Sequence, residues 1–251
     1  MVTCTTPPFR AAVRLNSGVR PQMNNPAPVP HPGYVNAHPY IEPVSRLFTE
    51  LGAQDACLQM QELAIVHLEK SAQAMNAQMN DYLKLLYISN NIPRGAYSFD
   101  EMREKIYASF VSLTYTMFEK CIKQCNWLYQ QKIPLNTWKT TLQGGVALHP
   151  LDQLTYNAST EQKLALTAPP EHKLLEYYRR VRIASVHLDD ETRQAAERAF
   201  TDLTPTDHQH FQSYAHIYGA PNPPGMLSFQ DFKLYTRAIK YYINVVNDVC
   251  S

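Results

Sequence analysis

The sequence predicts a mainly all-α protein: a helical bundle built on a long antiparallel helical hairpin and a C-terminal helical set, preceded by an extended proline-rich arm. Three observations lead to this prediction. Apolar residues recur at spacings of three and four over most of residues 44–251. Glycine is scarce, with 8 in 251 residues, which favours helices over a strand-rich fold. Capping residues precede several of the apolar segments.

The N-terminal residues 1–43 differ in composition from the rest of the chain. They hold nine of the 18 prolines, and the only charged residues before Glu42 are Arg10, Arg14 and Arg20. Proline fixes φ and lacks an amide proton, so we expect an extended arm without a core of its own. We divide the remainder into a hairpin (44–133), an irregular connector (134–170) and a C-terminal helical region (171–251). Residues 44–251 are expected to form one composite domain.

The first half of the predicted hairpin begins with a short helix at Pro43, which Gly52 is expected to interrupt. Asp55 is then placed to cap a helix that runs to about Ile88. The apolar positions of this helix alternate in spacing between three and four, which is typical of a seam along one helix face. The seam consists of Ile65, Leu68, Ala72, Met75, Met79, Tyr82 and Leu86.

The second half of the hairpin is predicted to begin after a capping box of Ser98 and Glu101 and to run to about Gln131. Its apolar seam is Ile106, Phe110, Leu113, Met117, Cys121 and Leu128. Cys121 and Cys125 lie four residues apart and so share one helix face. We interpret them as packed thiols rather than zinc ligands, because no further Cys or His pair accompanies them.

Sequence signals for secondary structure are weak in the connector and strong in the C-terminal region. In the connector we predict a short strand near Thr140, Thr141 and Val146 and a helix over residues 151–166. In the C-terminal region we predict four helices. Their starts are marked by Pro170, Asp189, Thr204 and Ser228, and the third is expected to end at Gly219.

The sequence contains no common catalytic or nucleotide-binding motif. GxGxxG, the P-loop, GxSxG and HExxH are all missing. The five cysteines are an odd number at low density, which favours reduced thiols in the cytoplasm or nucleus. No run of about 18 apolar residues occurs, so no membrane-spanning helix is expected. We therefore predict no catalytic residue, no cofactor and no metal.

A protein–protein interface is the functional hypothesis that these observations favour. Met75, Met79 and Tyr82 form the candidate partner interface, because methionine adapts to different surfaces and buried aromatics contribute strongly to binding. We expect a non-catalytic assembly or adaptor subunit that binds a protein partner or a second copy of itself. A viral structural or accessory protein, or a subunit of a large complex, would fit.

Two other functions are compatible with the sequence. A candidate basic patch with neighbouring tyrosines could bind nucleic acid together with the basic arm; the patch consists of Lys173, Arg179, Arg180 and Arg182. The formal net charge of only +1, and the nearby acids Glu171 and Glu176, make nucleic acid a less favoured partner. The arginines of the arm could alternatively belong to a mitochondrial transit peptide.

Overall fold

The computed structural model describes residues 38–92, 99–134, 137–142, 144–187 and 189–251. Within these ranges the chain forms nine α-helices and no β-strand, which confirms the mainly all-α fold. The helices are α1 (Glu42–Ala74), α2 (Met79–Ser89), α3 (Phe99–Gln130), α4 (Pro150–Asn157), α5 (Thr160–Thr167), α6 (Pro170–His187), α7 (Asp190–Thr201), α8 (Pro205–Gln212) and α9 (Phe229–Cys250). Residues 1–37, most of the predicted arm, lie outside the described residues. None of the described helices is long and apolar enough to cross a membrane.

The C-terminal helix α9 occupies the centre of the bundle. It packs against α1, α3, α5 and α6, and side chains on nearly every side of it are buried. The largest of these fully buried side chains are Phe232, Tyr235 and Tyr242. Because α9 is buried over most of its circumference, it needs neighbours on most of its sides, and the other helices supply them. The resulting core cluster runs from Val44 to Cys250.

Helices α1 and α3 are joined by contacts whose residue numbers rise along α1 and fall along α3. The Cys121 thiol lies 3.4 Å from the carbonyl oxygen of Pro43. The Gln54 side-chain amide donates to the carbonyl oxygen of Phe110 at 3.0 Å. Farther along, Arg103 binds the carboxylates of two α1 residues, Glu62 and Glu69. The predicted hairpin loop, with Ser98 of its capping box, lies in residues 93–98, outside the described residues, so the hairpin stays a prediction.

The predicted interruption at Gly52 is wrong, since α1 is continuous from Glu42 to Ala74. Gly52 is exposed, and buried side chains stand before and after it, including Leu51 and Leu58. The burial of Leu51 and Leu58 outweighs the cost of about 1 kcal/mol for a glycine inside a helix. Asp55 is therefore not a cap; it accepts a hydrogen bond from the Gln59 side chain one turn later.

The prediction of one unbroken helix to Ile88 is also wrong, because the chain turns between α1 and α2. Asn76 has a φ of +51°, and its amide donates to the carbonyl oxygen of Gln73. The amide of Ala77 donates to the carbonyl oxygen of Ala72 at 3.0 Å. This pair of bonds is the Schellman motif that ends helices, and asparagine adopts the left-handed conformation more readily than most residues. The predicted apolar seam is therefore split between two helices.

The predicted seam of α3 is displaced around the helix from the face that is buried. Leu113, a predicted seam residue, is 48% exposed, and Val111 and Phe118 are buried instead. Helix α3 contacts α1, α2, α4, α6 and α9, so its buried surface is wider than one seam. A periodic pattern in one helix cannot locate a face that five neighbours determine.

The connector is more helical than predicted. The described residues there contain a single isolated bridge between Thr141 and Ala147 in place of a strand. The predicted helix over 151–166 is two helices, because Ser159 interrupts it and caps α5 through a capping box with Gln162. The N-terminus of α4 is capped by the side chain of His149.

All four predicted C-terminal helices begin where the sequence indicates, with Pro170 as the first residue of α6. Asp189 caps α7, and Ser228 forms a capping box with Asp231 at the start of α9. Thr204 likewise caps α8, but this helix ends at Gln212 instead of reaching Gly219. The chain turns after α8, and in the turned segment the Tyr214 hydroxyl donates to the buried Glu171 carboxylate.

Candidate interaction surfaces

Helix α1 carries an uncharged surface on the side opposite to its buried seam. Seven exposed residues form this outer face of α1: Ala53, Ala56, Cys57, Met60, Leu63, Ala64 and His67. Met60 is 67% exposed and Leu63 is 62% exposed. At 100° per residue these positions cluster around one direction, about half a turn from Leu51, Leu58 and Ile65. The helix therefore has two apolar sides, and the protein's own core covers only one of them.

The charged residues of the same part of α1 lie on its inner side. Glu62 and Glu69 bind Arg103 of α3, and the Tyr107 hydroxyl donates to Glu62. Burial and the hydrogen bond to Glu62 raise the pKa of Tyr107 to about 12. Because these carboxylates are engaged with α3, a partner of the outer face would not have to desolvate them.

The three residues of the candidate interface do not share one helix face. Met75 is 59% exposed and lies just after the last residue of α1. Met79 is the first residue of α2 and packs against a small cluster of Ile65, Leu83 and Phe99. Tyr82 is half-buried. Their role in partner binding stays a prediction, with Met75 the most accessible of the three.

The candidate basic residues all lie on α6, and each contacts another side chain. Lys173 binds Asp207 at 2.9 Å. Arg179 and Arg180 both bind the Glu176 carboxylate, at 2.5 and 2.7 Å. Burial alone would raise the pKa of Glu176, but the two guanidinium groups outweigh it and hold that pKa below its usual value. Three of the four cations are thus paired with acids.

The fourth basic residue, Arg182, joins a polar cluster between α3, α4 and α6. Its guanidinium carbon lies 5.1 Å from the centre of the Tyr115 ring. The Tyr115 hydroxyl lies 2.5 Å from Nε2 of His149, whose Nδ1 accepts from the amide of Leu151. Burial, with the charge of Arg179 nearby, lowers the pKa of His149. The ring is therefore held in its neutral form, as a structural cap of α4.

A buried carboxylate that the sequence did not single out lies between α6 and the segment after α8. Glu171 is fully buried, and one of its oxygens lies 2.6 Å from Nε2 of His210 and accepts from the Tyr214 hydroxyl. Burial, with that carboxylate beside it, raises the pKa of Tyr214. The other Glu171 oxygen receives no hydrogen bond from any residue that the structure describes. No sequence pattern indicates this cluster, because Glu171 lies 39 residues from His210 and 43 from Tyr214.

The cysteines of α3 are buried, in the position expected of packed thiols. The sulfur atoms of Cys121 and Cys125 are 4.0 Å apart, and Cys250 at the end of α9 joins them. The hydrogen bond from Cys125, together with burial, raises the pKa of Cys250. Protonated thiols are poor metal ligands, and the described part of the chain contains no group of three or more His, Cys, Asp or Glu side chains placed to hold a metal ion.

A groove with aromatic walls lies beside the extended segment that precedes α4. Its volume is about 670 Å³, and it is lined by Trp138, Lys139, Thr140, Thr141, Leu142 and Tyr156. The side-chain amide of Asn157 binds both the backbone amide and the carbonyl oxygen of Lys139, at 2.8 and 2.9 Å. Those two hydrogen bonds fix the extended segment against α4, so the groove is a built feature of the fold.

No protein-family model, no curated protein and no solved structure matches the chain. The described residues define an all-α protein.

Proposed function

We propose that this protein is a non-catalytic helical assembly subunit that pairs with a second copy of itself through the outer face of α1. The observation that carries the proposal is the uncharged, exposed apolar side of α1, with Met60 67% and Leu63 62% exposed. Solvated helices normally carry charged residues on the side that faces water. An apolar side opposite to the buried seam is typical of a helix that packs between two neighbours.

The order of side-chain sizes along this face suits an antiparallel pair of α1 helices. With Met60 at the two-fold axis, Ala53 faces His67 of the second copy, Cys57 faces Leu63 and Ala56 faces Ala64. In two of these three pairs a small side chain stands opposite a larger one, which suits close packing of helices. Because the face has no charge, two copies can approach without repulsion. The span from Ala53 to His67 is about 21 Å at 1.5 Å per residue, or roughly four turns.

Charge substitutions at the two-fold axis test this proposal. We expect light scattering coupled to gel filtration to give twice the 28.7 kDa chain mass for the unaltered protein. Met60→Glu should yield a monomer, because two carboxylates would face each other across the axis. Its melting temperature at low concentration should match that of the parent, since the side chain is already exposed.

A matched control and a rescue make the result specific. Gln61→Glu introduces the same charge at an exposed position beside the face and should leave the dimer intact. An equimolar mixture of Met60→Glu and Met60→Lys chains should form a mixed dimer, because the opposed charges then attract. A parent protein that is monomeric at every concentration would contradict the proposal. The outer face of α1 would then be expected to bind a different protein, as in an adaptor subunit.

A further inference from the structure

We propose that the aromatic groove beside α4 binds the proline-rich segment of this chain's own N-terminal arm, residues 26–32. That segment reads Pro-Ala-Pro-Val-Pro-His-Pro. The proposal does not depend on self-association of α1, because the groove and the outer face of α1 are different surfaces. It assigns to the arm a binding site within the molecule.

The lining of the groove fits a proline-rich ligand. Polyproline segments bind in shallow grooves between aromatic side chains, because the preformed extended helix loses little entropy and its rings stack on flat surfaces. Trp138 and Tyr156 supply such surfaces here, and Leu142, which is 47% exposed, adds an apolar contact. Tyr156 is 44% exposed as a residue, so part of its surface is accessible to a ligand.

The electrostatics of the groove are compatible with this segment. The ammonium groups of Lys139 and Lys163 lie 5.4 and 5.5 Å from the centre of the Tyr156 ring. Residues 21–41 contain neither Lys nor Arg, whereas the earlier part of the arm carries Arg10, Arg14 and Arg20. The two lysines therefore accept the neutral proline-rich segment and repel the arginine-bearing part, which sets the register of binding.

The first described residues of the chain contact the C-terminal part of α9. The Asn247 side chain donates to the carbonyl oxygen of Pro39 at 3.3 Å and accepts from the amide of Ile41 at 2.9 Å. These contacts fix the first described residues at the last turns of α9. The same end of α9 binds Gln162, whose side-chain amide lies 3.4 Å from the carbonyl oxygen of Val249.

A short series of contacts continues from Gln162 to the groove. Its amide oxygen accepts from the Tyr129 hydroxyl at 2.8 Å, and the Tyr129 ring lies 6.3 Å from that of Trp138. Residues 33–37 can bridge about 20 Å between Pro32 and His38 when extended. If it spans from His38 to the groove, a tether this short gives an effective concentration in the millimolar range, which favours the chain's own arm over a free proline-rich peptide.

Fluorine NMR of the full chain with fluorine-labelled tryptophan tests the proposal. The protein has two tryptophans: Trp138 lines the groove, and Trp127, 62% exposed, does not. Serine substitution of Pro26, Pro28, Pro30 and Pro32 should shift the Trp138 resonance and leave that of Trp127 unchanged. Trp127→Phe assigns the two signals. As the matched control, serine at Pro7, Pro8 and Pro21 should move neither resonance.

Two further measurements decide whether the groove binds the segment and whose segment it binds. A synthetic peptide of residues 24–34, added to the four-serine protein, should return the Trp138 resonance to its original position, and Tyr156→Ser should abolish that return. The resonance of the unaltered protein should not change on dilution over about tenfold, as intramolecular binding requires. A Trp138 resonance that is identical with and without the four prolines would overturn the proposal. A shift that is lost on dilution would assign the groove to the arm of a second copy instead.

Discussion

Single polar side chains in this protein connect segments that are distant in sequence. Asp231, fully buried, accepts from the Tyr178 hydroxyl at 3.1 Å and from the Asn222 amide at 2.8 Å. Its second oxygen accepts from the amide and hydroxyl of Ser228, each at 2.8 Å. One carboxylate thus joins α6, the preceding turn and the start of α9. The sequence predicted Ser228 as a cap but did not predict the burial of its partner.

Replacing Asp231 by asparagine should lower the free energy of unfolding by about 2–4 kcal/mol, because an amide nitrogen would then face donors instead of accepting from them. Urea denaturation measures this change. Asp190→Asn is the matched control: its side chain is 81% exposed, so solvent screens its charge and we expect a change of about 0.5 kcal/mol or less. Equal effects at the two positions would contradict the importance of the buried carboxylate.

His149 should make stability depend on pH near neutrality. Burial lowers the pKa of His149, and likewise that of His172. The unfolded chain therefore binds protons first, so stability is complete above the ordinary pKa of 6.5 and falls as the pH drops toward the lower folded value. His149→Asn keeps an N-cap acceptor and removes the titration.

We expect the free energy of unfolding of the parent to fall between about pH 7 and 5, and to fall less steeply in His149→Asn. The measurement is a series of urea titrations across that range. Identical slopes in the parent and in His149→Asn would show that His149 is not held neutral by the fold.

At the scale of secondary structure, packing decides where helices continue and where they stop. Gly52 lies inside α1 without ending it, and an added Cβ at this position would meet nothing within 4 Å. Gly52→Ala should therefore stabilise the protein by about 0.5–1 kcal/mol, because alanine restricts the unfolded chain and fits the helix. Thermal and urea denaturation measure this gain.

A second glycine provides the opposite control. Gly219 also has open space around it, but its φ is +68°, a conformation that alanine adopts only with strain. Gly219→Ala should thus destabilise the protein by about 1–2 kcal/mol. Stabilisation by both substitutions would contradict the left-handed turn after α8, and destabilisation by both would contradict the continuous α1.

Much at this scale could be predicted from the sequence. The starts of α6, α7, α8 and α9 were predicted because proline and capping side chains act on backbone amides within three residues. The break at Asn76 was not predicted, because the apolar spacing of three and four continues across it. The spacing therefore does not reveal the Schellman motif that ends α1. The exposed outer face of α1 was also not predicted. Residue spacing locates the apolar positions of a helix, but it does not show which of two apolar sides the core covers.

For the molecule as a whole, the central position of α9 should make unfolding a single cooperative event. Ile243 is fully buried in α9, which contacts α1, α3, α5 and α6. Ile243→Ala should lower the free energy of unfolding by about 2–5 kcal/mol through lost packing and a cavity. Far-ultraviolet circular dichroism and tryptophan fluorescence should shift to the same new midpoint.

Leu164→Ala is the matched control for that experiment. Leu164 is 67% exposed on α5, so its truncation should change the midpoint little. Two separate transitions in the Ile243 variant would contradict one shared core and would favour independent unfolding of the hairpin and the C-terminal helices.

The sequence by itself determined the helical class, the starts of the capped C-terminal helices and the separate composition of the arm. These properties depend on local backbone preferences and on interactions between residues a few positions apart. Only the tertiary structure decided that α9 is central, that Glu171 and Asp231 are buried, and that Trp138 and Tyr156 form one groove. Those features depend on contacts between residues far apart in sequence, whose partners no local pattern specifies.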